Sequence, residues 1–287
     1  AKFGIFGDGK ELPQIAMAKV FEKGDFRSGY YRDQTFMFAI NELNVKQFFS
    51  GLYANTNLIE EPMSGGRQMG SHFSSVFLND DGSFKDLTNQ YNISSDISPT
   101  SGQMPRLLGL AMASKLYREG NFNSENFSNN GNEIVWGTIG NASTSEGLFF
   151  EVVNAVGVHQ VPAVICIWDD EYGISVDNSY QTTKSSISEI LKGYQRNNKE
   201  KGFEILSVNG WDYPNLISTF EFASSVARKE HVPVIIHVKE LTQPIGHSTS
   251  GSHERYKSQD RLDWEKKYDC NTKMKEWILE NGLSNIK

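Results

Sequence analysis

The fold of this chain is decided by residues 134–175, IVWGTIGNASTSEGLFFEVVNAVGVHQVPAVICIWDDEYGIS. Residues 134–139 are apolar and partly β-branched, and residues 161–167 form a second apolar run that ends in three acidic residues, 169–171. Both runs are typical of buried strands. A helix is predicted between them, with one apolar face formed by Phe149, Val152, Val153, Val156 and Val158. The right-handed crossover of such a unit makes its strands parallel, so both polar turns lie at the carboxyl edge of a sheet, where α/β proteins bind ligands.

Two oxygen-bearing side chains, Asn141 and Asp170, lie on these turns. Residues 143–145, Ser-Thr-Ser, offer hydroxyl groups that can cap the helix ahead of Glu146. A helix N-terminus attracts anions, and carboxylate, amide and carbonyl oxygens are ligands for Mg²⁺. Two interpretations remain open from the residues alone: a magnesium-diphosphate site, or a plain turn beside a solvated strand end.

Composition excludes some classes of protein. The chain has 287 residues, is 38% hydrophobic and carries a formal charge of −7, which argues against a general nucleic-acid binder. No apolar run has the length of a membrane span. Cys166 lies in an apolar strand and Cys270 in a polar, helical stretch, so we expect free thiols, buried or at the surface, and a cytoplasmic location. The first residues are Ala-Lys rather than Met, which is consistent with a segment of a longer polypeptide.

The rest of the chain predicts an α/β fold with a doubly wound, mostly parallel sheet flanked by helices. Residues 203–208 and 233–240 are further strands, and residues 212–230 form the helix between them. Residues 104–118 predict a helix that is apolar nearly all round and therefore buried. We find no internal repeat or linker, so residues 1–287 are expected to form a single domain.

Several polar residues outside the central unit could meet a ligand. Arg32 could clamp an anion, although surface ion pairing is the commoner fate of an arginine. His72 lies in a long Gly/Ser-rich loop that is either functional or merely an excursion at the surface. His237 lies inside a strand, where a hydrogen-bonded core histidine is expected. His247 follows the fourth strand and can act as an acid or base, whereas its spacing from His253 is a poor match to a zinc site.

Six motifs in order resemble the α subunit of the thiamine-diphosphate-dependent decarboxylase component of 2-oxoacid dehydrogenase complexes. The likeness covers nearly the whole chain, and the GRQM loop is most similar to the branched-chain branch. The motifs are YYRDQ, GGRQMGSHF, SPTSGQMPRLLGLAMASK, GNASTSEG, DDEYGIS and PIGHSTSG. The resemblance implies the thiamine diphosphate-binding fold, with thiamine diphosphate and magnesium as cofactors.

The resemblance also assigns site residues by position. The metal ligands it implies are the side chains of Asn141 and Asp170 with the carbonyl of Tyr172. The cofactor-binding residues it implies are Tyr31, Arg32, Ser98, Thr100, Gly140, Asn141, Ala142, Ser143, Asp170, Tyr172, Ile174 and His247. The residues implied near the reacting carbon are His247, Ser98 and His72. In some members of the family the serine after this histidine, here Ser248, is a regulatory phosphorylation site.

The chain departs from the family pattern at three places. The family carries an acid at the first metal position and Asn at the second, whereas here Asn141 comes first and Asp170 second. Both arrangements supply oxygen ligands, so we expect magnesium binding to be retained with the roles exchanged. Trp168 stands where branched-chain members carry an arginine near the diphosphate, and Gly251 stands where an Asp is usual.

The activity implied is oxidative decarboxylation of a 2-oxoacid with transfer of the acyl unit to a lipoyl group on an acyltransferase component. We expect the pyrimidine-binding, β-like domain that completes such a site to be absent from this chain and to be supplied by a β-like subunit or fused half in a heterotetramer. The sequence does not identify the 2-oxoacid. Two alternatives stay open: a transketolase-like thiamine diphosphate enzyme, or a non-catalytic domain that kept the fold and an interface role.

Overall fold

A six-stranded parallel sheet forms the centre of the protein, here described from a computed structural model over residues 5–120, 122–247 and 253–285. Its spatial order is β2-β1-β3-β4-β8-β7, and a separate antiparallel pair is formed by β5 and β6. The strands are β1 Phe26–Ser28, β2 Asn92–Ile93, β3 Val135–Gly140, β4 Ala163–Trp168, β5 Tyr172–Gly173, β6 Val176–Asp177, β7 Glu204–Asn209 and β8 Val234–Lys239. The predicted α/β fold with a parallel sheet is confirmed.

Helices cover both faces of this sheet. Those packed on one face are α1 and α7, and those on the other are α4 and α5. The helices are α1 Glu11–Val20, α2 Gln34–Ala39, α3 Val45–Leu52, α4 Met104–Arg118, α5 Gly147–His159, α6 Ile187–Ile190, α7 Tyr213–Glu230, α8 Gln259–Tyr268 and α9 Cys270–Glu280.

The alternation of side chains along β3 and β4 divides the core in two. Trp136, Val164 and Cys166 point into the layer under α1 and α7, whereas Val135 and Ile165 point into the layer under α4 and α5. Every residue of β4 is buried. Strands buried on both faces are continuous apolar runs, which is why these central strands could be predicted from sequence.

Some local predictions were wrong. Helix α4 has the predicted bounds, but only Met104, Leu107, Ala111 and Ser114 are buried on it. Val158 is 69% exposed and lies off the buried face of α5. The expectation of free thiols is confirmed: Cys166 and Cys270 are both free and buried, and the Cys270 thiol donates to Glu11 Oε2 over 3.2 Å.

The predicted N-caps of α5 were also wrong. Residues Ala142–Ser145 form a short 3₁₀ helix, and α5 begins only at Gly147, without a side-chain cap. The hydroxyl of Thr144 donates to the Asn141 carbonyl and that of Ser145 to the Gln181 carbonyl. The Thr144 hydroxyl therefore stabilises the turn after β3 itself, and the Ser145 hydroxyl links that turn to the segment around Gln181.

No helix in the described part of the chain has the length and apolar character needed to cross a membrane.

Candidate active site

A cavity of about 260 Å³ opens at the carboxyl ends of β3 and β4. Its lining comes from the turns after these strands, from the segment after β1 and from the loop after β8. The lining residues are Lys10, Tyr30, Tyr31, Arg32, Thr100, Gly140, Asn141, Ala142, Ser143, Glu146, Trp168, Asp170, Tyr172, Gly173, Ile174, Gln181 and His247. All of the predicted cofactor-binding residues except Ser98 line this cavity.

Strand register brings Asn141 and Asp170 to the same edge. Gly140 pairs with Trp168 in the parallel ladder, and the backbone N–H of Asn141 donates to the Trp168 carbonyl over 3.1 Å. Both side chains are almost fully buried, with 4% of Asn141 and 2% of Asp170 exposed. The two residues therefore meet because their strands are neighbours in the sheet.

Asp170 is surrounded by positive and polar groups. Its Oδ2 lies 2.8 Å from the ammonium of Lys10 and 3.1 Å from His247 Nε2. Burial alone would raise the pKa of this carboxyl, but His247 and Lys10 hold it well below its ordinary value. Its Oδ1 accepts only one long hydrogen bond, 3.3 Å from the Tyr172 N–H, among the described residues. Asp170 is thus an anion whose second oxygen has room for a further partner.

Lys10 was not predicted as a site residue. It is 1% exposed, and its ammonium donates to Asp170 Oδ2, to the Thr242 carbonyl and to Gln243 Oε1 over 2.8, 3.0 and 2.7 Å. The FGDGKE segment around it carries no spacing that would distinguish this lysine from a surface one. Only the fold shows that its charge lies beside the turn after β4.

Arg32 lies in the wall of the cavity and forms no ion pair with a carboxylate in the described part of the chain. Its guanidinium donates to the carbonyls of Phe6 and His247 over 2.7 and 2.8 Å. It is 7% exposed and lies over the ring of Tyr31, with 5.7 Å between Cζ and the ring centroid. The surface ion pair that was the alternative for Arg32 is not formed among these residues, so its charge is free to meet an anion.

Polar atoms without partners converge on the cavity. Asn141 Nδ2, His247 Nδ1 and Gln181 Oε1 are buried and make no hydrogen bond within the described ranges. Buried polar groups are otherwise nearly always hydrogen-bonded. With Nε2 of His247 donating to Asp170, its Nδ1 can donate outward only when the ring carries both protons. Of these atoms, Asn141 Nδ2 and the doubly protonated His247 Nδ1 are donors that fit the oxygens of a diphosphate, whereas Gln181 Oε1 can only accept.

Ser98 and His72 form a separate pair at the edge of the site. The Ser98 hydroxyl lies 2.8 Å from His72 Nε2, and the His72 ring stacks on Tyr31 with 5.9 Å between ring centroids. Neither residue is in the cavity lining, but Tyr31 joins them to it. Their predicted part in the chemistry stays a prediction.

Neighbouring acids of the turn have different surroundings. Asp169, beside Asp170, accepts from His237 Nε2 over 2.8 Å, and His237 Nδ1 lies 2.9 Å from the Ser188 hydroxyl. His237 is therefore a hydrogen-bonded core histidine, as predicted. Arg261 in α8 donates to the Asp170 carbonyl over 2.9 Å and fixes the turn from outside.

The structure explains one of the three departures from the family pattern. Trp168 is fully buried, and its indole N–H donates to Asp33 Oδ1 over 3.0 Å. The residue has a structural partner, and Arg32 and Lys10 supply positive charge nearby. Gly251 and Ser248 lie outside the described residues. No group of three or more His, Cys, Asp or Glu side chains that could hold a metal occurs in the described segments, so the zinc alternative finds no support there.

Comparisons with known proteins identify the family of the chain. The family model described as "Dehydrogenase E1 component" matches residues 2–287. The chain belongs to the dehydrogenase E1 component family. This E1 chain is similar over 98% of its length, at 25% identity, to the 2-oxoisovalerate dehydrogenase subunit alpha of Bacillus subtilis, of which it covers 74%. It is 25% identical over 96% of its length to the mitochondrial 2-oxoisovalerate dehydrogenase subunit alpha of Mus musculus, of which it covers 54%.

A pyruvate dehydrogenase E1 component subunit alpha from Rickettsia bellii is 24% identical over 63% of this E1 chain. The chain spans about half the length of the mitochondrial relatives that it matches. The predicted resemblance to the α component of 2-oxoacid dehydrogenases is confirmed, and with it the class of oxidoreductase. Membership of the family implies thiamine diphosphate as the cofactor. Magnesium, the individual site residues, the substrate and the partners stay predictions.

Proposed function

We propose that this E1 chain supplies the diphosphate and metal half of the site for oxidative decarboxylation of a 2-oxoacid, with the acyl unit passed to a lipoyl group. The observation that carries the proposal is the set of unpartnered polar atoms around Asp170 and Arg32 at the carboxyl edge of the sheet. The likeness to 2-oxoisovalerate dehydrogenase α subunits favours a branched-chain 2-oxoacid as the substrate.

Magnesium is proposed to bind to Asp170 Oδ1, the amide oxygen of Asn141 and the carbonyl of Tyr172. Oδ1 has only one long hydrogen bond, and the Asn141 amide has an unpartnered atom, so both can turn an oxygen toward a cation. The two ends of an amide are assigned by hydrogen bonding, and a cation would orient the Asn141 oxygen inward. This donor set, one carboxylate with neutral oxygens, suits Mg²⁺ shared with phosphate oxygens.

The other cavity residues are proposed to bind and orient the diphosphate. Arg32 carries a charge without a carboxylate partner, and its planar donors match phosphate oxygens. His247 is fixed by Asp170 at one nitrogen and has its other nitrogen unpartnered. The cofactor, when bound, supplies the carbanion chemistry, and the protein contributes orientation and charge.

We further propose that a β-like pyrimidine-binding subunit or fused half completes the site, and that a lipoyl-bearing acyltransferase component receives the acyl unit. Among the described residues that line the cavity, the only glutamate is Glu146, which accepts a hydrogen bond from Thr100 and is exposed at the rim. The glutamate that meets the aminopyrimidine ring is therefore expected from the partner. A heterotetramer of the α₂β₂ type follows as the expected assembly.

The test is calorimetric titration of thiamine diphosphate into the full-length protein with its β-like partner, with magnesium and with EDTA. Asp170→Asn should remove the magnesium-dependent part of the affinity. Asp169→Asn is the matched control, because it changes the neighbouring buried carboxylate that binds His237 instead of lining the cavity. It should bind the cofactor normally.

Release of CO₂ from 2-oxoacids, measured on the same assembly, separates the alternatives. Decarboxylation of a branched 2-oxoacid supports the proposal, whereas ketol transfer without CO₂ release would support a transketolase-like enzyme. A folded assembly that binds neither cofactor nor metal would leave the non-catalytic alternative.

A further inference from the structure

We propose that Lys10 is a positioning residue that sets the charge of the metal and diphosphate site. By neutralising Asp170, it keeps a divalent cation from binding ahead of the diphosphate. It also lets the site attract the diphosphate before the cation. This inference rests on the proposed function, because it assumes that Asp170 faces the shared metal and diphosphate.

The burial of Lys10 requires compensation by the groups around it. The side chain is 1% exposed and stands at the N-cap of α1, where the helix dipole is positive. Burying an ammonium group is unfavourable unless it is paired and hydrogen-bonded. A buried lysine at a helix N-terminus departs from the usual placement of cations, and such departures are expected at functional sites.

All donors of the ammonium are used by the protein. A lysine has three N–H groups, and those of Lys10 point to Asp170, Thr242 and Gln243. Lys10 therefore acts on a ligand through its charge and through Asp170, and does not donate to the ligand directly. Lys10 and His247 both bind Oδ2 of Asp170, so Oδ1 keeps only the long hydrogen bond from the Tyr172 N–H among the described residues.

The charge of the Lys10–Asp170 pair decides whether the site binds the cation or the diphosphate more tightly. A buried pair a few ångströms from a phosphate or a cation interacts with it far more strongly than an exposed pair does, because screening is weak. With Lys10 and Asp170 both charged, the pair has no net charge. Removal of the lysine charge makes the group of Lys10, Asp170 and His247 one charge more negative, so it attracts Mn²⁺ more strongly and the diphosphate less strongly. Removal of the aspartate charge has the reverse effect on the diphosphate.

The experiment measures two affinities on the full-length protein assembled with its β-like partner. One is the affinity for inorganic pyrophosphate in EDTA, and the other is the affinity for Mn²⁺ without pyrophosphate, followed by electron paramagnetic resonance. The variants are Lys10→Met, Lys10→Gln, Asp170→Asn and the double variant Lys10→Met/Asp170→Asn. Arg228→Met is the matched control, because it removes a partly buried cation paired with Asp25, before β1 at the other end of the sheet.

We expect pyrophosphate affinity in EDTA to follow the charge of the pair. It should fall by about tenfold in Lys10→Met, return toward the wild-type value in the double variant, and rise in Asp170→Asn. Lys10→Met should also bind Mn²⁺ several times more tightly than the wild type, whereas Asp170→Asn should lose it. Lys10→Gln keeps a donor to Asp170 but loses the charge, so it should show the same two shifts in affinity as Lys10→Met. It therefore serves as the test if the methionine variant folds poorly.

Opposite shifts in the two affinities cannot come from a merely structural defect, which would weaken both. The inference is overturned if Lys10→Gln changes neither affinity or weakens both while Arg228→Met remains normal. If the wild-type assembly binds thiamine diphosphate with magnesium but the Lys10 variants have wild-type affinities for pyrophosphate and Mn²⁺, only the role of Lys10 is wrong. If the wild type binds neither cofactor nor pyrophosphate, the proposed function fails as well.

Discussion

The indole nitrogen of Trp168 donates to Asp33 Oδ1 over 3.0 Å, although the two residues are 135 positions apart. Asp33 also accepts from both Nε and Nη2 of Arg27 and from the Thr138 hydroxyl. This buried carboxylate joins β1, β3 and β4 beneath the cavity. The strand end that carries Asp170 and the segment that carries Arg32 are thereby held to one another.

Trp168→Phe should destabilise the protein by about 2 to 4 kcal/mol, because a hydrogen bond to a buried carboxylate is lost and the smaller ring leaves a cavity in the core. Urea denaturation gives the free energy of unfolding. Trp211→Phe is the control: its indole donates to Glu240 over 2.7 Å at a half-buried position, where water can replace it. An equal loss of unfolding free energy in both variants would contradict the expectation that the hydrogen bond to Asp33 stabilises the protein more than the one to Glu240.

Arg27→Met should cost about 3 to 5 kcal/mol in the free energy of unfolding, because it leaves Asp33 and Asp96 buried without their cation. The Arg27 side chain and both carboxylates are fully buried. Lys46→Met removes the exposed pair with Glu60 and should change stability by less than about 1 kcal/mol. Equal midpoints for the two variants in chemical denaturation would refute the expectation.

Arg32→Gln should weaken thiamine diphosphate binding by about tenfold or more, since a charged, planar donor to the phosphate oxygens is removed. Its other partners are two backbone carbonyls, so the fold should survive. Isothermal titration calorimetry measures the affinity, and a thermal scan checks folding. Arg196→Gln, which breaks ion pairs with Glu204 and Glu230, is the control that should bind normally. Normal binding by Arg32→Gln would remove this residue from the site.

Glycine substitutions at two positions should have opposite signs. Gly109 lies exposed in the middle of α4 with nothing within 4 Å of an added Cβ, so Gly109→Ala should stabilise by about 0.5 to 1 kcal/mol. A Cβ on Gly137 would lie 2.0 Å from Leu107 Cδ1 in the core, so Gly137→Ala should destabilise by about 1 to 3 kcal/mol. The melting temperatures of the two variants test this. A shift of the same sign in both would contradict the expectation that a Cβ fits at Gly109 and clashes at Gly137.

His231 should make the protein less stable as the solution becomes acidic. Burial, aided by Arg118 and Lys115, lowers the pKa of this histidine from 6.5 to about 4. The unfolded chain therefore binds a proton between these pH values and the folded chain does not, so the free energy of unfolding falls as pH drops through this window. Because the ring is only half-buried, we expect about 1 to 2 kcal/mol.

The measurement is urea denaturation at pH 7 and pH 4.5. His231→Asn keeps a residue that tolerates the left-handed backbone at φ 54° and should lose this part of the pH dependence. His159→Asn, at the end of α5, is the matched histidine control. If the slope with pH is the same in wild type and His231→Asn, the buried histidine is not its source.

Much of the fold could be predicted from sequence because its central strands are buried on both faces. The strands β3, β4 and β8 were predicted from their apolar runs and are confirmed. The strands β1 and β2 were missed, since Phe26–Ser28 and Asn92–Ile93 are too short for a period to appear. Their pairing comes from hydrogen bonds to β3 and to each other, which are long-range in the chain.

The sequence by itself determined the parallel α/β fold, the family, and the turns that carry Asn141 and Asp170, because strand periodicity and motif order are local properties. Only the tertiary structure decided that Asp170 faces the cavity while Asp169 faces His237, and that Trp168 binds Asp33. It also decided that Lys10 neutralises Asp170 across 160 positions of the chain. Charges that distant become neighbours only through strand order and helix packing, which no local spacing encodes.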